Sequence, residues 1–275
     1  MPAELTARDG LAARPSGEWA REKLFIVARY IDIFTTGQKR KWPQCAFVDL
    51  MAGPGICIER ETGEEFPGSP LLALRTKTPF THAVFVELDA RLRAALAQRT
   101  SAPDLRPVPT ILEGDCNSSC VVDEIRRTVP ANALTLAFVD MLGLDVHFAT
   151  LRRLTAGRRM DLLITFQVND LTRNVRRAIA AGGDERMDAF FGSDEWLARV
   201  REVPRGEYAN ILTDYYAERL RTLDYPYCDR HRAPMKNSKN APLYRLLLAS
   251  RHERAGDYFQ KIATIDWSGQ RAFPF

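Results

Sequence analysis

The sequence lacks any apolar run approaching the roughly eighteen residues that a membrane-spanning helix needs. Its opening stretch, MPAELTARDGLAARPSGEW, has no apolar core of the kind a secretory signal carries. Cysteine is scarce: five residues, an odd number at irregular spacings, do not make a disulfide framework. They fit a reducing compartment, and the expected location is the cytoplasm. Neither a G-x-x-x-x-G-K-[ST] phosphate loop nor a G-x-S-x-G nucleophile elbow occurs. Cys116 and Cys120 lie one helical turn apart, yet no histidine or further cysteine stands close enough in sequence to complete four ligands, so no metal is expected. A strong charge of either sign is missing too: the net charge of +4 over 275 residues permits a nucleic-acid substrate without requiring one.

What is present is a repeated strand-end pattern. The stretch Cys45 to Gly55, CAFVDLMAGPG, runs apolar into Asp49 and then into the turn Ala52-Gly53-Pro54-Gly55. This is the pattern of a buried parallel strand opening onto a glycine turn, where ligands of open α/β sheets sit. A dinucleotide site wants a third glycine and an immediate helix. Here a long acidic loop with Glu59, Glu61, Glu64 and Glu65 intervenes before Ser69-Pro70, which reads as a helix cap followed by proline. Four glutamates repel a phosphate, so the expected cofactor is one without phosphate, S-adenosylmethionine.

Three further strands end in acids. Ala83 to Val86 leads to Glu87, placed to accept hydrogen bonds from a ribose, and Val108 to Leu112 leads to Asp115, placed to accept from adenine. Leu134 to Val139 ends in Asp140, the candidate catalytic residue facing the acceptor. Asp49 is expected to organise the methionine end through water or backbone. His147, a few residues on, is a weaker candidate base. The cofactor set is therefore Asp49, Ala52, Gly53, Pro54, Gly55, Glu87 and Asp115.

Several of these segments together resemble a family. FVDLMAGPG, Gly68-Ser69-Pro70, VFVELD, FVDMLGLDVHFATL, RMDLLITF with Leu171-Thr172-Arg173-Asn174, and YRLLLASRH, spread over roughly Trp19 to Ile262, look like the three-Cys-motif partner proteins. That resemblance implies an S-adenosylmethionine-dependent methyltransferase of Rossmann-like fold and a protein partner bearing the three-Cys motif. The family's name refers to cysteines of that neighbouring protein. One departure stands at the acceptor side: Asp140-Met141-Leu142-Gly143 replaces the family's Asp-Pro pair followed by an aromatic residue and glycine.

The expected fold is α/β: a seven-stranded, mostly parallel sheet with helices on both faces, spanning 18–275 as a single domain after a loosely held 1–17. An amphipathic helix over Glu18 to Phe34 precedes the first strand, and a helical insertion covers about 182–223. Tyr225 to Lys236 and Leu243 to Ala249 are read as closing strands joined by Asn237 to Asn240, with a final helix over Glu253 to Ile262. Arg173, Arg176 and Arg177 share one helical face near the sheet edge and are the candidate phosphate contacts of a nucleic-acid substrate, RNA in preference to DNA. The basic cluster Lys39-Arg40-Lys41-Trp42 is a second candidate contact. The alternative function is a non-catalytic cofactor-binding scaffold that serves another enzyme.

Overall fold

The computed structural model describes residues 5–38, 41–230, 235–236 and 242–263. In chain order the first half holds β1 (Arg14–Ser16), α1 (Glu18–Gln38), β2 (Cys45–Asp49), β3 (Ile56–Glu59), β4 (Glu65–Pro67), α2 (Ser69–Leu74), β5 (His82–Glu87), α3 (Ala90–Thr100) and β6 (Thr110–Glu113). There follow α4 (Ser119–Thr128), β7 (Leu134–Val139), α5 (Phe148–Thr155), β8 (Arg159–Phe166), α6 (Val168–Ala181), α7 (Glu185–Phe191), α8 (Trp196–Val200) and α9 (Tyr208–Arg221). The chain closes with β9 (Tyr227–Arg230), β10 (Met235–Lys236), β11 (Pro242–Ser250) and α10 (Glu253–Ala263).

The central sheet runs β6-β5-β2-β7-β8-β11, with β9 and β10 both paired to β11. Pairing from β6 through β8 is parallel, and β11 is antiparallel to β8. Because β9 and β10 pair with successive stretches of β11, eight strands occupy the seven expected positions. The loop expected over Asn237 to Asn240 lies outside the described residues.

Alternation along each strand builds two cores. Val48, Val86, Val139 and Ile164 face one way, against α4 to α9; Phe47, Phe85, Phe138 and Leu163 face the other, against α1, α2, α3 and α10. Side chains one residue apart in a strand point to opposite faces, so apolar runs without alternation require a layer of helices on each side. On α1, Val27, Tyr30, Ile31 and Phe34 are buried, each such side chain contributing about 1.5–3 kcal/mol. The helices of the 185–221 region bring Phe190, Phe191 and Tyr216 together, with Phe190 and Tyr216 stacked at 4.7 Å. Tyr215 and Tyr216 are core residues.

Two local expectations change. The acidic stretch after the glycine turn is not a loop: β3 and β4 form an antiparallel hairpin, joined by β1 into a second, three-stranded sheet. Its acids are matched by cations, Arg21 to Glu59 and Glu64 and Arg8 to Glu65. Residues 5–17 are consequently held rather than loose. Thr6 bridges Ala12, and Arg99 of α3 grips Asp9 through two nitrogens while donating to the carbonyls of Leu11, Ala12 and Pro54. The Asp9 carboxyl is held below its ordinary range, chiefly by its hydrogen bonds to Arg99.

Candidate functional site

The parallel order places the ends of β2, β5, β6 and β7 along one edge, and Glu87, Asp115 and Asp140 line cavities there. β2 delivers the chain into Gly53 and Gly55, both with positive φ (68° and 85°), which a side chain adopts only with strain. A Cβ on Gly53 stands 3.1 Å from Arg14 Cζ, so the turn is also closely covered. The Gly53 amide donates to Glu87 Oε2 at 2.7 Å, and the Asp89 amide donates to Glu87 Oε1 at 2.9 Å. Each oxygen of Glu87 is therefore fixed by one backbone donor and keeps acceptor capacity. Asp89 in turn caps α3, accepting from the amides of Arg91 and Leu92.

Glu87 and Asp115 line one cavity of about 390 Å³, together with Leu50, Leu88, Asn117 and His147. Asp115 Oδ1 accepts from the Asn117 amide, and Asn117 ties this rim to the next by accepting from the His147 amide and the Thr150 hydroxyl. A smaller cavity of about 140 Å³ joins Ala52, Pro54, Gly55, Ser69, Lys23 and Asp140. Leu88 and Leu142, 66% and 70% exposed, flank the two cavities as apolar surface. Arg14 lines both and lies 4.0 Å from Glu87.

Asp49 lies beneath this edge rather than in it. It is fully buried, Oδ1 accepts from the Met51 amide, and Oδ2 makes no well-formed hydrogen bond among the described residues. Burial pushes its carboxyl up to about 7, opposed by Ser69 and the Met51 amide. Cys116 beside Asp115 is pushed up to about 12, chiefly by burial, an inert thiol. All five cysteines are free, and among the described residues no cluster of three or more metal-ligating side chains occurs.

Asp140 is brought to the smaller cavity and engaged there by a residue that the sequence reading missed. Lys23 Nζ donates to both Asp140 oxygens at 2.6 Å, and each side chain is nearly buried. The ammonium also lies 5.5 Å from the Tyr244 ring. The sequence held one signal: Lys23 stands one turn from Val27 on the apolar side of an amphipathic helix, where a lysine needs a partner. The following turn is occupied too, since Gln167 Nε2 donates to the Met141 carbonyl at 2.5 Å. His147 occupies the N-cap position of α5 without a side-chain capping bond among the described residues, and lines the other cavity, away from Asp140's. Arg173, Arg176 and Arg177 are exposed on α6, with Arg177 4.0 Å from Asp184, and none of them lines either cavity. Arg186, paired with Asp170, is the arginine of that region that does. Arg14 carried no local signal, because its position follows from the β1–β3 pairing.

The donor set fits a nucleoside cofactor without phosphate. Carboxylates at Glu87 and Asp115 accept hydroxyl and amino hydrogens, and leucines supply flat apolar contact. No model of a protein family and no curated protein matches the sequence. Solved structures do. A Legionella pneumophila protein of the DUF519 family matches at 10% identity over 93% of this chain and 94% of that one, with a TM-score of 0.54. Two structures at lower TM-scores are the O-methyltransferase TomG from Streptomyces achromogenes in complex with SAM (0.46; 11% identity, 91% and 83% covered) and M. jannaschii TYW2 in complex with AdoMet (0.41; 11%, 85% and 76%). The Legionella match, nearly end to end on both chains, shows that this chain shares that protein's α/β fold.

Proposed function

We propose that the chain is an S-adenosylmethionine-dependent methyltransferase acting on nucleic acid, RNA in preference to DNA. The observation that carries the cofactor is Glu87, whose two oxygens are aligned by the Gly53 and Asp89 amides between the glycine turn and Asp115. In this reading Glu87 holds the ribose hydroxyls, Asp115 the adenine amino group, and Gly53 and Gly55 let the backbone approach the ligand. Arg14, at the seam of the two cavities, suits the carboxylate of the amino-acid end. When bound, S-adenosylmethionine supplies an electrophilic methyl group on a cationic sulfonium. The protein's own task is then chiefly to position the acceptor, and Asp140, oriented by Lys23, is the polar group at that side. Arg173, Arg176 and Arg177, exposed on α6, support a phosphate-bearing acceptor. The ordered sequence motifs support a place among the three-Cys-motif partner proteins, with a three-Cys-motif protein as partner, and the five free cysteines support a cytoplasmic setting.

A second reading has its own observation. Asp140 is taken by Lys23 and the Met141 carbonyl by Gln167, so the polar groups of the acceptor turn are already engaged. That favours a cofactor-binding scaffold that serves another enzyme.

Thermal unfolding with S-adenosylhomocysteine, and with NAD and ATP as controls, tests the cofactor. At about a hundred times the dissociation constant the ligand adds about 2.7 kcal/mol, or roughly 5 °C or more for a chain this long. Glu87→Ala abolishes the shift if the assignment holds; an equal shift in wild type and variant overturns it. Binding without methyl transfer to any RNA selects the scaffold reading. RNA affinity that falls steeply with salt and drops in Arg173→Ala supports the acceptor class, and salt-insensitive transfer to a small molecule or protein removes it.

A further inference from the structure

A cavity of about 1010 Å³, larger than either of the two at the glycine-turn edge, is at the opposite end of the sheet from the glycine turn. Leu134 and Arg159, where β7 and β8 begin, and Ser250, where antiparallel β11 ends, form its floor; α1 and α10 form its walls. The volume is at the upper end of the range for small-molecule sites. Its lining is amphipathic in a specific way. Tyr30, Ile33, Phe34, Trp42, Met160 and Tyr258 supply apolar and aromatic surface, while five cationic side chains, Lys41, Lys77, Arg159, Arg251 and Arg254, face two carboxylates. Both carboxylates already have partners: Asp32 accepts from the Thr76 hydroxyl at 2.7 Å, and Asp161 is held by Ser250, Arg251 and Tyr30. Arg251 is itself spent on the carbonyls of Arg158, Leu223 and Asp224. Lys41, Lys77, Arg159 and Arg254, by contrast, are exposed around the opening. The N-terminus of α10 adds its amide dipoles from the same side, through His252 and Arg254.

Flat surface accompanies the charge. The Arg159 guanidinium lies 4.7 Å from the centroid of the half-buried Trp42 ring, and Tyr258 is 45% exposed with Lys261 5.9 Å from its ring. Aromatic faces beside cations are how proteins hold a nucleobase and its phosphate together. We propose that this cavity is a nucleotide-binding site, with the base on the Trp42–Arg159 face and the phosphate among Lys41, Lys77 and Arg254. It is separate from the methyl-transfer reading, since it shares no residue with either cavity at the glycine-turn edge.

The ligand unit is a nucleoside monophosphate, either free or within a single-stranded RNA. Titration of the full chain with AMP and with a fluorescent 5′-phosphorylated oligouridylate separates the two sources. Arg159→Ala and Trp42→Leu weaken the bound probe at least tenfold, and Lys77→Glu, an exposed charge reversal that leaves the core intact, does the same. Thermal stabilisation by S-adenosylhomocysteine serves as the independent readout and stays at the wild-type value in all three. AMP binding lost in the variants identifies a free nucleotide; oligouridylate binding alone, lost in the same way and falling with salt, identifies a strand. Binding of neither probe, or variants that bind as wild type does, overturns the proposal.

Discussion

Replacing Asp49 by asparagine tests whether β2 ends in a carboxyl held inside an apolar core. The folded group titrates up at about 7, with burial as the main cause, whereas an unfolded chain ionises it near 3.9. Between those values the native state retains a proton that the unfolded state has released. Stability attributable to this residue therefore falls as pH rises from about 4 to about 7 and is level above that. About three pH units at about 1.36 kcal/mol each give an upper bound of about 4 kcal/mol. Asp49→Asn carries no such titration. In urea unfolding of the ligand-free protein, its stability relative to wild type should grow by about 2.5 kcal/mol between about pH 5 and about pH 8. A difference independent of pH, or one that shrinks as pH rises, refutes the reasoning, whatever the absolute stability of the variant.

Lys23→Met leaves the nearly buried Asp140 without its cation and should cost about 3 kcal/mol in urea unfolding, while the double replacement with Asp140→Leu recovers much of that loss; equal losses in single and double variants remove the pair from the stability account. Tyr216→Phe should stabilise by about 1 kcal/mol, because the Tyr216 hydroxyl is fully buried with no hydrogen-bond partner among the described residues. A loss of stability there points to packing by the hydroxyl instead. Arg99→Ala removes the grip on Asp9, Leu11, Ala12 and Pro54, so hydrogen exchange should become fast across residues 5–13 while the amides of β2 and β7 keep their protection. Unchanged protection across residues 5–13 shows that the β1–β3 pairing alone holds the segment.

The succession of the central strands along the chain was legible because each is a short apolar run that ends in a turn signal, a property of a few neighbouring residues. The same locality singled out Gly53, Gly55, Glu87, Asp115 and Asp140 as candidates, since each lies at the end of its own strand or within a few residues of it. Local patterns failed where the partner is remote. The acidic stretch read as a loop because its neutralising Arg8 and Arg21 come from the N-terminal region, and residues 5–17 read as loose because Arg99 is some ninety residues away. Ser69 reads as a helix cap, yet α2 begins at Ser69 with Gly68 in the cap position, because the Gly68 amide is first tied to the Gly55 carbonyl.

Periodicity and turn chemistry act over a few residues, and they suffice for the alternation of strand and helix, the two-sided burial of the sheet and the acids at its strand ends. Long-range packing is what brings Lys23 to Asp140 across 117 positions, Arg14 over Gly53, and Trp42, Arg159 and Tyr258 into one cavity. Those juxtapositions depend on which strands pair and which helix faces close over them, and the spacing of residues along the chain does not encode them locally.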